Sequence, residues 1–185
     1  RNGDITHIRF ENGGKVVVPT EIIGKTNRHG TIVRFKPDKT IFSTVEFKWD
    51  IIYTHLQESA FLLKNVTFIL KDDRTGKEET FHYEKGMTEY ISLLNQNKES
   101  MSPIMAFEDL NSNIKVEIAL QYCKEDYNET VYSYVNNLRT RDGGTHEAGF
   151  RSGFTKAVND FAESNGLIKK QKLEGNDIRE GLTAI

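Results

Sequence analysis

Apolar positions along this chain follow two rhythms, and the rhythms assign its elements. Residues 4–10 and 15–18 read as short strands around Asn12-Gly13-Gly14, turn residues favoured in hairpins. Thr31-Ile32-Val33-Arg34-Phe35 reads as another strand, bracketed by Gly30 and Pro37. Residues 1–37 hold no helix to bury these strands and so predict the edge of a larger domain. From Asp50 to Leu63 the rhythm lengthens, with Ile52, Leu56, Ala60 and Leu63 close to helical spacing. A hairpin follows: a strand over Val66–Leu70, a charged turn from Asp72 to Lys77 holding Gly76, and a return over Phe81–Glu84. Met87, Tyr90, Ile91 and Leu94 fall at i, i+3, i+4, i+7 and predict a second helix.

Strands resume near Pro103. Ile114, Val116, Ile118, Leu120 and Tyr122 alternate with Lys115, Glu117 and Gln121, the pattern of a half-buried strand. Residues 130–136 read as the next strand. A long helix is predicted from His146 to Ser164, with Phe150, Phe154, Ala157, Val158 and Phe161 on its apolar stripe. Thr183-Ala184-Ile185 reads as a strand interrupted by the end of the sequence. With Arg1 rather than Met at the start, it predicts a piece of a longer chain.

Strand runs broken by single helices predict an α+β fold, a mixed sheet with helices on one face. Composition places the chain among globular proteins, with 37% apolar and 28% charged residues and eleven Phe and seven Tyr for a core. A length of 185 residues suits one large domain, or one domain with a flanking part. The formal charge of −2 provides no general basic field, so contact with nucleic acid needs a local cluster of Lys and Arg. Cys123 is the single cysteine, which excludes an internal disulfide and fits a reducing cytoplasm. No apolar run reaches the length of a membrane span, and no signal-peptide pattern opens the sequence.

The candidate chemistry is concentrated in Arg139-Thr140-Arg141-Asp142-Gly143-Gly144-Thr145-His146-Glu147. The glycines permit positive φ or close backbone approach. Thr145 is a candidate cap for the long helix, whose first N–H groups attract anions. Arg139 and Arg141 would then contact phosphate, although residue chemistry alone favours a plain strand-to-helix turn with solvated arginines. His146-Glu147 has no second histidine at i+4 and Cys123 no CxxC partner, so no metal site is expected. Asp72-Asp73 lacks the spacing of a calcium loop and reads as a hairpin tip. No nucleophile elbow, Cys–His arrangement or paired general acid and base is visible, so no catalytic residue is assigned. Lys169-Lys170-Gln171-Lys172 reads as an exposed basic loop.

Three collinear motifs carry a family resemblance. The run from Val135 to Arg151, VNNLRTRDGGTHEAGFR, closely resembles the signature of gyrase B and topoisomerase IV B subunits, as does Gly175-Asn176-Asp177-Ile178-Arg179-Glu180-Gly181-Leu182-Thr183-Ala184. Gly30 to Asp38, GTIVRFKPD, is similar to the last part of that family's ATPase domain, and Phe81-His82-Tyr83-Glu84 matches as well. Leu56 to Asn65 looks more like topoisomerase IV than gyrase.

The resemblance implies a bacterial type II DNA topoisomerase B subunit. Residues 1–45 would be the C-terminal strands of a truncated GHKL ATPase domain. Residues 46–185 would be most of a transducer resembling ribosomal protein S5 domain 2. In such a protein the transducer couples ATP binding and hydrolysis to closure of a gate around DNA and to strand passage. Implied cofactors of the intact protein are ATP and Mg2+; implied partners are double-stranded DNA, the topoisomerase A subunit and a second copy of the B subunit, with no membrane. The implied location is cytoplasmic and chromosome-associated. Thr31 matches a threonine that helps bind adenine, partly through water. Arg141 matches an arginine lining the cavity that holds transported DNA, which raises Arg141, though not His146, above the plain-turn reading; Arg139 stands beside it as a second candidate DNA contact. Nothing in the sequence matches the family's magnesium-binding Asn, catalytic Glu, glycine-rich lid or Gln-Thr-Lys loop, so the isolated chain is expected not to hydrolyse ATP. The rival readings are a stand-alone S5-like nucleic-acid-binding module and a mismatch-repair ATPase fragment.

Overall fold

A computed structural model describes residues 3–124, 127–169 and 171–185. Arg1 and Lys170, both named above, lie outside the described residues. The chain divides into two compact units, Arg1–Glu46 and Phe47–Ile185.

In the first unit, β1 (Asp4–Glu11) and β2 (Lys15–Lys25) form an antiparallel hairpin. Asn12 and Gly13 take positive φ, 47° and 75°, at its turn, the conformation for which Asn and Gly are favoured. β2 runs well beyond the four residues expected, and slips of register at three places make it longer than β1, 11 residues against 8. Pro19, which cannot donate to a ladder, falls within one of those slips, between Val18 and Glu21. The strand expected at 31–35 does not form: residues 26–48 hold neither helix nor strand, and Ile32 is 94% exposed. Its β-prone side chains are present, but a strand also needs a neighbour for its backbone hydrogen bonds, and this unit supplies none among the described residues.

The second unit opens with α1 (Trp49–Leu62), in which Ala60 and Phe61 are buried. The hairpin β3 (Phe68–Asp72) and β4 (Lys77–Phe81) is displaced from the expected 66–70 and 81–84. Its turn sets the register. Arg74 clasps both oxygens of Asp72 at 2.8–2.9 Å and Gly76 takes φ 72°, so Asp72 pairs with Lys77 and both strands run up to the turn. In α2 (Met87–Leu94), Tyr90 stacks on Phe61 with ring centroids 4.8 Å apart, binding the helix to α1.

β5 (Met105–Asn111), β6 (Ile114–Tyr122), β7 (Thr130–Val131) and β10 (Leu182–Ala184) form the main sheet in the order β5-β6-β10-β7. β10 runs antiparallel to β6 and parallel to β7, so the expected mixed sheet is present. The single strand expected over 130–136 is broken. After β7 the chain leaves the sheet and folds back as β8 (Tyr134–Val135) and β9 (Leu138–Arg139), because Asn136 and Asn137 take φ 49° and 64°. α3 (Thr145–Ser164) and α4 (Gly175–Arg179) then lead to β10; α4 was not foreseen.

Successive residues of β6 and β10 point to opposite faces. On one face Leu120, Leu182 and Ala184 form a buried cluster against which Phe150 and Phe154 of α3 pack. On the other, Asn95 at the end of α2 donates to Gln121 Oε1 at 2.9 Å and accepts from Thr183 Oγ1 at 2.9 Å. Helices therefore flank the sheet on both faces rather than one. The stripe of α3 is also rotated from expectation: Phe161 and Ala157 are exposed, while Asn159 and Ala162 are buried. Asn159 can replace an apolar residue because it accepts from Leu173 N and donates to Leu173 O, at 2.8 and 3.1 Å. Lys169, Gln171 and Lys172 are exposed.

Candidate nucleic-acid interface

The β8–β9 hairpin returns the chain to the point where β7 ends. There Thr140 N donates to Ser133 O at 2.9 Å, Thr140 Oγ1 donates to the same oxygen at 2.9 Å, and the two hydroxyls lie 2.6 Å apart. The backbone then turns into α3 through Gly143, whose φ of 70° favours glycine. Thr145 is the first helical residue and not the cap; the cap position is Gly144, with no side-chain capping bond. The result is an open groove of about 540 Å³ lined by Val131, Ser133, Arg139, Thr140, Arg141 and Glu147.

Arg139 and Arg141, separated by one residue, both border this groove. Arg141 is exposed, as is the neighbouring Asp142. Arg139 is more confined: its guanidinium lies 4.5 Å from the centroid of the Tyr132 ring, and Nη1 is 3.4 Å from Glu58 Oε1 in α1. His146 serves the turn, with Nε2 3.0 Å from Thr140 Oγ1. Among the described residues no three His, Cys, Asp or Glu side chains converge as a metal-binding set. Thr31 belongs to the first unit, where it is exposed in the unpaired segment.

Behind the groove runs a chain of charges. Glu147 Oε2 accepts from Ser133 Oγ at 2.6 Å, and Oε1 meets Arg151 Nη1, one helical turn on, at 2.6 Å. Arg151 Nε donates to Glu129 Oε1 at 2.8 Å, and Arg179 Nε donates to Glu129 Oε2 at 2.6 Å. Arg179 also donates to Thr155 Oγ1 and Asn176 Oδ1, at 3.0 and 3.2 Å. The Ser133 hydrogen bond, reinforced by Arg151 and opposed by burial, holds the Glu147 carboxyl below the usual carboxylate range. Two carboxylates and two guanidiniums offset one another here, which leaves Arg139 and Arg141 as the cations facing the groove. Guanidiniums so placed suit phosphate oxygens and carry no base-reading geometry.

Sequence reasoning passed over Ser133, Glu129, Arg151, Arg179 and Glu58. Glu147 and Arg151 were within reach of it, because their spacing of four puts opposite charges on one helix face. The Glu129–Arg179 and Glu58–Arg139 pairs span 50 and 81 residues and have no local signature. No helix among the described residues is long and apolar enough to cross a membrane.

The sequence profile of the family described as DNA gyrase B matches residues 86–185. The B subunit of DNA topoisomerase 4 from Streptococcus pneumoniae is 48% identical over 189 residues, which cover 100% of this chain and 29% of that protein. The corresponding protein of Enterococcus faecalis is 50% identical over 182 residues, 96% of this chain and 26% of its own length. The chain thus spans under a third of the length of these curated relatives. Among solved structures, the 43K ATPase domain of Thermus thermophilus gyrase B, in complex with an aminocoumarin, is similar with a TM-score of 0.78. Its sequence identity is 30%, and the match covers 100% of this chain and 51% of that one. The topoisomerase IV ATP binding domain of Francisella tularensis is similar in fold, with a TM-score of 0.75 at 23% identity, over 100% of this chain and 50% of that one.

Proposed function

The chain belongs to the DNA gyrase B family, and from that membership we propose that it is the coupling region of an ATP-dependent type II DNA topoisomerase B subunit, an isomerase. On this reading residues 1–45 complete a GHKL ATPase domain, with Thr31 near the adenine, and residues 46–185 are a transducer like ribosomal protein S5 domain 2. The intact protein uses ATP and Mg2+. It works with double-stranded DNA, a topoisomerase A subunit and a second copy of itself, on the chromosome in the cytoplasm. The isolated chain does not turn over ATP. The ATPase-domain relatives, one of them bound to an aminocoumarin, support a nucleotide role for the larger protein.

One observation carries the coupling role. The groove bearing Arg139 and Arg141 is wired through Glu147, Arg151, Glu129 and Arg179 to α4, which directly precedes the central strand β10. A phosphate backbone seated on the arginines would thereby bear on the middle of the sheet. The test is Arg141→Ala in the intact protein. DNA-stimulated ATP turnover and strand passage should fall while basal ATP binding holds; equal loss of basal binding would assign Arg141 a structural role instead. DNA-stimulated ATP turnover by the 185-residue chain alone would overturn the expected inactivity.

A further inference from the structure

The arginines of the second unit are not equally committed. Arg151 gives Nε to Glu129 and Nη1 to Glu147, and Arg179 gives Nε, Nη1 and Nη2 to three separate partners. Arg139 differs from both. Of the five N–H donors of a guanidinium, one reaches a partner among the described residues: Nη1, 3.4 Å from Glu58 Oε1. Charge-assisted bonds of this kind are usually about 2.7–2.9 Å long, so the contact is stretched. The rest of the restraint on Arg139 is the face of Tyr132, 4.5 Å from the guanidinium carbon. Its side chain is 36% exposed and borders the groove, whereas that of Glu58 is 17% exposed.

Glu58 is therefore a covered carboxylate holding a groove-wall arginine by one long contact. It also has a second donor, the Tyr90 hydroxyl, 3.3 Å from the same oxygen. Were Arg139 to turn toward the groove, Glu58 would keep that hydrogen bond, and Tyr132 could still carry the guanidinium on its face. An incoming phosphodiester offers two oxygens to donors that now have no partner, a better match for a planar guanidinium than one stretched pair.

We infer that Glu58 is an internal competitor for the phosphate that Arg139 would bind, so that this carboxylate limits how tightly the groove holds a nucleic-acid backbone. The inference rests on reading the groove as a DNA contact. It adds a regulator on a different helix, α1, and a division of labour: Arg141 is open to phosphate at all times, and Arg139 only after exchange. Any shift of α1 relative to the β8–β9 hairpin would alter the competition.

The experiment measures binding of the full chain to a short labelled duplex by fluorescence anisotropy at fixed salt. Glu58→Gln keeps the side chain's shape and its hydrogen bond with Tyr90 but removes the competing charge. Affinity should rise roughly two- to fivefold, the scale of one partly exposed ion pair. The same substitution in an Arg139→Ala background should give no gain. An unchanged affinity for Glu58→Gln overturns the inference. So does a gain that survives in the Arg139→Ala background, because it would come from net charge alone. If Glu58→Gln melts early, Glu58→Asp, which withdraws the carboxylate by one methylene, should give a smaller gain under the same two conditions. Failure of the underlying reading looks different: Arg141→Ala would then leave duplex binding unchanged, or no variant would bind at all.

Discussion

Arg179, in α4, gives its Nε to Glu129 Oε2 at 2.6 Å, across 50 residues of sequence. The other oxygen of Glu129 holds Arg151 of α3, so a single carboxylate fastens two helices ahead of the central strand. Glu129→Ala would strip both guanidiniums of that anion, one of them only 11% exposed. Exposed pairs contribute about 0–1 kcal/mol, and orphaning a buried charge costs about 3–5 kcal/mol. Glu129 is partly covered, so the expected loss lies between, about 2–3 kcal/mol, read from urea unfolding. An unchanged midpoint would show that the two arginines are held by their remaining partners alone.

Glu147 gives the chain an acid-sensitive contact. The Ser133 hydrogen bond lowers its folded pKa below the ordinary 4.5. A depressed carboxylate stabilises the fold above its unfolded pKa, and that stability is lost as pH falls through the folded value. Glu147→Gln should therefore cost up to about 1.5–3 kcal/mol near neutrality, the range for hydrogen bonds to charged groups. The gap to the unmodified chain should close below the ordinary glutamate range. Unfolding free energies measured across an acid pH series check this; a gap independent of pH would mean that shape, not charge, matters at this position.

What the sequence revealed depended on how local each signal was. The alternation from Ile114 to Tyr122 predicted β6 with both ends correct, and the spacing of Met87 to Leu94 did the same for α2. Side-chain period is intrinsic to a segment. Pairing is not, which is why Ile32 and Val33 promised a strand that the first unit gives no neighbour. The stripe of α3 was misplaced because Asn159 is buried through bonds to Leu173, a satisfied polar group that hydrophobic periodicity counts as surface. The groove was half visible. Arg139 and Arg141 stood out beside two glycines, and both do line it, but Glu58, the long-range partner of Arg139, and Glu129, which holds Arg151 and Arg179, were ordinary surface acids until the fold brought them in.

The far face of the sheet depends on a similar long-range bond, this one uncharged. Thr183, 1% exposed in β10, donates Oγ1 to Asn95 Oδ1 at the end of α2. Thr183→Val keeps the β-branched shape but leaves a buried carbonyl oxygen without that donor. The expected destabilisation is about 1–3 kcal/mol, measured by thermal unfolding. Asn95→Leu combined with Thr183→Val should recover part of the loss, because removing both partners leaves fewer stranded polar atoms; Gln121, which accepts from Asn95, limits the recovery. A double variant no more stable than the sum of the two single changes would mean that the bond itself contributes nothing.

Arg141 makes a prediction about what the groove reads. An exposed guanidinium at the rim of an open groove can reach phosphate oxygens, and nothing in its setting aims it at base edges. Arg141→Ala should therefore weaken binding by the same factor for duplexes of unrelated sequence. Each phosphate contact releases counterions, so the slope of log K against log salt should become shallower by about one unit. Titrations of two duplexes at several salt concentrations supply both quantities. If affinity for one sequence falls while the other holds, Arg141 is reading bases, and the groove is a recognition site rather than a backbone rest.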